Sequence, residues 1–159
     1  MSKLYIAYGS NLHLEQMAHR CPTATPVCKG IIEDYTLVFR GSKTGAYATI
    51  IPKKGDYVPV VVWRIGKLDE MSLDRYEGFP TFYYKKNLRV LYDGHLYLNA
   101  MAYIMFDEAK IGKPSMQYLE TCSQGYLDNG LDMVKFEEFI ANNEIECSQE
   151  APNSSIFKF

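Results

Sequence analysis

The sequence predicts an α+β domain in which an antiparallel or mixed sheet carries helices at its edges. Three observations point there. Short apolar runs rich in Val, Ile, Tyr and Phe recur through the first two thirds, each bounded by Gly, Pro, Asn or Asp, as strands are. One interval within that stretch, and nearly all of the last third, switches to helical spacing with caps. At 159 residues, 47% hydrophobic and 23% charged, the chain has enough apolar material for one core without disulfide or metal staples.

Taken in order, residues 4–8 are short enough for a buried strand and too few for a typical helix. Gly9, Ser10 and Asn11 follow as a polar turn, and 12–21 favours helix, with Ser10 or Asn11 as its expected N-cap. Pro22 to Pro26 mark a loop. Residues 27–39 read as one long strand or two broken around Glu33 and Asp34. A short strand over 47–51 ends at Pro52, and Lys53-Lys54-Gly55-Asp56 turns the chain into a central strand over 57–65. Residues 67–77 form a helix with Asp69 as N-cap, Gly78 as C-cap and Pro80 barring continuation. Strands return over 83–92 and 96–105, joined by Asp93-Gly94, a strong hairpin signal between two aromatic-rich runs. Ser115 caps a helix to about 128, and 131–143 makes another. From about 144 the chain turns polar and reads as either a loose tail or a short packed segment of a single domain over 1–159.

Composition excludes several classes of function. A net charge of −2 argues against nucleic acid and against a polybasic membrane role. No apolar run approaches the length of a membrane span. Cys21, Cys28, Cys122 and Cys147 form no Cys-x-x-Cys pair and no segment resembles a secretory signal, so reduced thiols and a cytoplasmic location are expected. His13, His19, Cys21 and Cys28 cluster without zinc-ligand spacing, and no metal or other cofactor is expected. The 13 tyrosines suit strand faces or a pocket for a polar small molecule.

Two places carry chemistry. The turn after the first strand brings backbone N–H groups to a helix start, an arrangement that cradles an anion or oxyanion and equally serves as a plain capped connection. Glu77 precedes a C-capping glycine and is followed by Phe79, Pro80, Phe82, Tyr83 and Tyr84. Burial there and the negative helix end both raise a carboxyl toward neutrality, where it can take a proton and return it. The same glutamate facing water would be ordinary, and composition does not separate the two. Ser10 lacks a nucleophile elbow and a placed histidine base, and Gly9 stands alone where a phosphate loop needs several glycines.

These residues also resemble a known family. Tyr8-Gly9-Ser10-Asn11-Leu12 after the first strand, Gly45-Ala46-Tyr47-Ala48-Thr49-Ile50, Leu73-Asp74-Arg75-Tyr76-Glu77-Gly78-Phe79-Pro80, and Pro114-Ser115-Met116-Gln117-Tyr118-Leu119 are similar, in order and spacing, to the gamma-glutamylcyclotransferase-like (AIG2-like) family. The resemblance covers residues 3–131. It implies a small mixed β-barrel flanked by helices that cyclises a gamma-glutamyl group to 5-oxoproline and releases an amine or amino acid without a cofactor. It also implies Glu77 as the catalytic residue, Tyr8, Gly9, Ser10, Asn11 and Leu12 as the substrate loop, and Tyr83, Tyr103 and Tyr118 as aromatic pocket positions.

Free gamma-glutamyl amino acids, gamma-glutamyl amines, glutathione and gamma-glutamylated intermediates all present the same glutamyl end. Arg40, Arg64 and Arg75 are the candidates for a carboxylate clamp on a leaving amino acid. Two other readings stand beside the enzyme: a non-catalytic small-ligand-binding or interaction protein on the same scaffold, and a thiol hydrolase using Cys21 or Cys122.

Overall fold

The computed structural model describes residues 2–156, with side chains over 2–149. Five strands close into a barrel in the order β1-β3-β2-β4-β5, where β1 is Lys3–Ala7, β2 Thr25–Arg40, β3 Tyr47–Ile65, β4 Tyr83–Tyr92 and β5 Leu96–Met105. All neighbours are antiparallel except β1 and β5, which meet in parallel at Tyr5 and Met101 and make the barrel mixed. Four helices flank it: α1 Leu14–Arg20, α2 Lys67–Glu77, α3 Met116–Asp128 and α4 Met133–Ile156. The core takes Ile6, Phe39, Ile50, Val58, Val60 and Val62 from the strands, with Leu73, Cys122, Tyr126, Phe136 and Phe139 from the helices.

The Asp93-Gly94 hairpin forms as expected, both residues adopting positive φ so that the turn matches strand twist. Three boundaries differ from the sequence reading. Pro52 does not end a strand: β3 runs unbroken from Tyr47 to Ile65, with Pro52 opposite Tyr35. The ladder absorbs the irregularity as a bulge at Asp34, whose carboxylate accepts from the Gly55 N–H at 2.9 Å, and bulges are where a strand tolerates proline. Likewise β2 is one strand rather than two.

The second difference is at the first helix. Ser10–Leu12 form a single 3₁₀ turn and α1 begins only at Leu14, with His13 Nδ1 accepting from the Gln16 N–H as the cap. Ser10 and Asn11 therefore have side chains free for other partners. Third, α4 continues past Asn143 to Ile156. Asn143 is buried against the Gly112 carbonyl, and Glu146 forms a two-point ion pair with Arg40, so the polar residues after 143 have docking partners that composition hides. The residues at 157–159 lie outside the described part. Asp69 is not the α2 cap residue itself. It sits in the first turn and accepts from the Gly66 N–H at 3.0 Å, while its other contact ties Thr23 to the same helix start. Among the described residues no helix is long and apolar enough to cross a membrane.

Candidate active site

The site lies where the 3₁₀ turn meets the end of α2. β1 feeds into the turn, which is clamped from below: Leu12 is fully buried, and a Cβ on Gly125 of α3 would stand 2.5 Å from the Leu12 Cβ. Only glycine permits that approach, so α3 seats directly under the turn. Asn129 of the same region donates to the Leu12 carbonyl at 2.7 Å. Across the cavity, α2 ends at Glu77 because Gly78 takes the left-handed conformation (φ 65°, ψ 37°) and its N–H returns to the Arg75 carbonyl.

Between the two lies a cavity of about 360 Å³. Tyr8, Gly9, Ser10 and Asn11 line it, as do Glu77, Tyr83, Tyr103 and Tyr118. Leu12 does not. The tight 3₁₀ turn sends it into the core, so of the five loop residues expected around a ligand it is the one that holds the loop instead. Tyr5, Ile6, Tyr47, Ala48, Arg75, Tyr76, Gly78 and Phe82 complete the lining. Tyr5 lies on β1 ahead of the turn motif, and Tyr76 lies inside the α2 motif without being singled out by it; β1 places the first and adjacency to Glu77 places the second.

The polar tips are largely committed to one another. Tyr8 donates to the Tyr103 carbonyl, and Tyr83 donates to the Ala48 carbonyl at 2.7 Å. The Ala48 N–H in turn donates to the Tyr118 hydroxyl at 3.0 Å. Asn11 donates to Tyr5 at 2.8 Å and accepts from Arg20 at 2.5 Å, and Ser10 lies 3.0 Å from the Tyr76 hydroxyl. Tyr103 presents its ring to the cavity while its hydroxyl leaves to bond Asp74 at 2.6 Å, a carboxylate also held by Lys85. Arg20, which the sequence reading passed over, stacks 3.5 Å from the centre of the Tyr76 ring. One side chain of α1 thus joins the turn to the end of α2.

Glu77 is the exception in this network. Among the described residues nothing hydrogen-bonds its carboxylate, and burial lifts it from the usual 4.5 to about 7, the positive charge of Arg20 offsetting part of the rise. Burial also pushes the phenols of Tyr5, Tyr8, Tyr83 and Tyr118 upward, so they stay protonated near neutral pH. The cavity therefore holds one group poised to exchange a proton at neutrality.

A family model described as gamma-glutamyl cyclotransferase, AIG2-like, matches residues 5–122. The chain belongs to the gamma-glutamyl cyclotransferase, AIG2-like family. A gamma-glutamylcyclotransferase of Homo sapiens is 34% identical to it over 148 residues, which cover 88% of this chain and 78% of that protein. The Mus musculus gamma-glutamylcyclotransferase is 34% identical over 136 residues, covering 80% and 72%. A solved structure of a gamma-glutamyl cyclotransferase superposes with a TM-score of 0.78 at 32% identity, covering 87% of this chain and 86% of that one.

Membership in the gamma-glutamyl cyclotransferase family makes this chain a cyclotransferase enzyme rather than a bare binding module. The thiol reading finds no support. Cys21 and Cys122 are buried core residues outside the cavity lining, and burial pushes both thiols up to about 12, where little thiolate exists. Of the three arginines named from sequence, Arg40 pairs with Glu146 and Arg64 reaches Ser2, leaving Arg75 alone on the cavity.

Proposed function

We propose that the chain cyclises the gamma-glutamyl group of a small gamma-glutamyl amino acid or amine to 5-oxoproline, with Glu77 as the proton shuttle. The observation that carries this reading is Glu77 itself: a carboxyl without a hydrogen-bond partner, raised to about 7, facing a polar turn across one cavity. Its ionised form accepts a proton from the substrate's α-ammonium. The freed amine attacks the γ-carbonyl carbon, forming the ring C–N bond and placing negative charge on the carbonyl oxygen.

The leading N–H groups of the Gly9–Asn11 turn, which a helical start leaves without internal partners, face that oxygen. Protonated Glu77 then donates to the departing nitrogen, the original amide C–N bond breaks, and Glu77 returns to its ionised state. A pKa near the working pH serves both transfers. Closing a five-membered ring within one molecule has a high effective molarity, so little is required of the protein beyond folding the substrate and moving the proton. The hydroxyls of Tyr8, Tyr83 and Tyr118, held by the backbone of Tyr103 and Ala48, fix the walls against which the substrate folds.

Incubating the purified protein with gamma-glutamyl dipeptides and gamma-glutamyl amines, and measuring 5-oxoproline, tests the reaction. Product from at least one substrate, lost in Glu77→Gln with an unchanged far-UV spectrum, is the expected outcome. Normal product release by a folded Glu77→Gln protein would refute the mechanism.

A further inference from the structure

The cavity has a floor and a rim of different character. The floor is made of the turn and the tyrosines behind it: Tyr8 is 7% exposed, Asn11 3% and Tyr83 5%. The rim is Tyr47 and Tyr76, each 44% exposed, with Phe82 at 38% and Arg75. The reaction proposed above places the γ-carbonyl at the turn. Whatever lies beyond the scissile bond must then extend toward the open side, because the buried floor leaves no room for groups of variable size.

Among the described residues Arg75 is the only cationic side chain lining the cavity, and its guanidinium has no hydrogen bond, ion pair or aromatic stack. Its neighbour in function, Arg20, is already committed to Asn11 and the Tyr76 ring. A guanidinium presents paired N–H donors that match a carboxylate's two oxygens. The aromatic rim beside it, where Tyr47 packs edge-on against Phe82 and Tyr118, offers an apolar surface for a side chain.

We propose that Arg75 reads the leaving group: it holds the carboxylate of a departing amino acid, so that gamma-glutamyl amino acids are preferred over gamma-glutamyl amines and amides. This rests on the cyclisation reading above and adds to it a substrate class and a specificity residue. A leaving group without a carboxylate leaves Arg75 in water, and one with an ammonium group meets like charge. An exposed rim screens the contact, which limits the discrimination to about tenfold.

The test compares kcat/KM for gamma-glutamyl-alanine and gamma-glutamyl-alaninamide, which differ only in the charge of the leaving carboxyl. Wild-type protein is expected to favour the acid by about tenfold, Arg75→Gln to bring the ratio near one, and Arg75→Lys to fall between. A wild-type ratio near one overturns the proposal. So does an unchanged ratio in Arg75→Gln with both substrates slowed together, the result expected if Arg75 instead holds the glutamyl α-carboxylate. Those outcomes leave cyclisation standing; absence of 5-oxoproline from both alanine substrates and from the wider panel of dipeptides and amines with wild-type protein refutes both readings.

Discussion

The two walls of the cavity are built on opposite principles. On the turn side, side-chain polar groups are matched: Asn11 is bonded on both its oxygen and its nitrogen, Ser10 lies against Tyr76, and Tyr8 donates to a backbone carbonyl. On the α2 side, Glu77 and Arg75 end one helix, and among the described residues neither charged group has a hydrogen bond. Matched groups hold a shape, because moving any one leaves a buried partner unsatisfied. Unmatched ones keep their hydrogen-bonding capacity for whatever enters. The contrast separates groups that hold the cavity's shape from groups left open to a ligand.

The sharpest way to break that contrast is Glu77→Gln, which keeps the shape and removes the titration. Product formation is expected to fall by about 10² to 10⁴. The same variant has a stability signature. Glu77 is more basic folded, about 7, than the usual 4.5, so the folded state favours the neutral form. Wild-type protein therefore loses stability as pH rises from 4.5 through 7, whereas the glutamine variant does not. Melting curves across that range are expected to show the variant gaining on wild type, and no such gain would mean that Glu77 is not raised.

Arg20→Gln breaks the bridge between the walls. Losing the positive charge raises Glu77 further, so the rising limb of kcat/KM against pH, expected near 7 in wild type, moves to higher pH. Activity at neutral pH is expected to fall about tenfold, since Asn11 also loses a charge-assisted bond. A lower rate with the limb in place would leave Arg20 a purely structural role.

Gly9→Ala probes the fit of the turn. Its new Cβ would lie 3.3 Å from both the Ala48 Cβ and the Tyr118 hydroxyl, a crowding expected to cost about 1–2 kcal/mol in thermal or denaturant unfolding. Smallest is Tyr83→Phe, which leaves the Ala48 carbonyl without its hydroxyl donor and is expected to cost about 1 kcal/mol. A neutral result there would show that the scaffold wall tolerates an unmatched group as well as the reactive wall does.

Local chemistry made some of this architecture readable from sequence and hid the rest. The bounds of α2 were legible because Gly78 and Pro80 leave the backbone few alternatives, and the β4–β5 hairpin because Asp93 and Gly94 suit positive φ. Pro52 misled because its tolerance depends on Asp34, a residue reached only through the pairing of β2 with β3. His13 displaced Ser10 and Asn11 as the cap because those two have tertiary partners, Tyr76, Tyr5 and Arg20, that no local window contains. In the site, Glu77 and the turn stood out through their own neighbours. Arg20 and Ala48 did not, since each matters only through what the fold brings against it. Leu12 belonged to the right motif, yet packing gave it a place beneath the site.

Ala48 has one consequence beyond the cavity. β1 pairs with β3 only from Val61 to Ile65, so at Ala48 the side of β3 away from β2 has no strand beside it in the ladder. Its N–H and carbonyl meet the hydroxyls of Tyr118 and Tyr83 instead. The two phenols do the work of a missing strand. An open strand segment is a template for pairing with another chain, and here it is closed by side chains drawn from α3 and β4. The residues that shape the pocket thereby also satisfy the backbone of a strand segment that has no neighbour on that side, so each of the two tyrosines serves the cavity and the barrel at once.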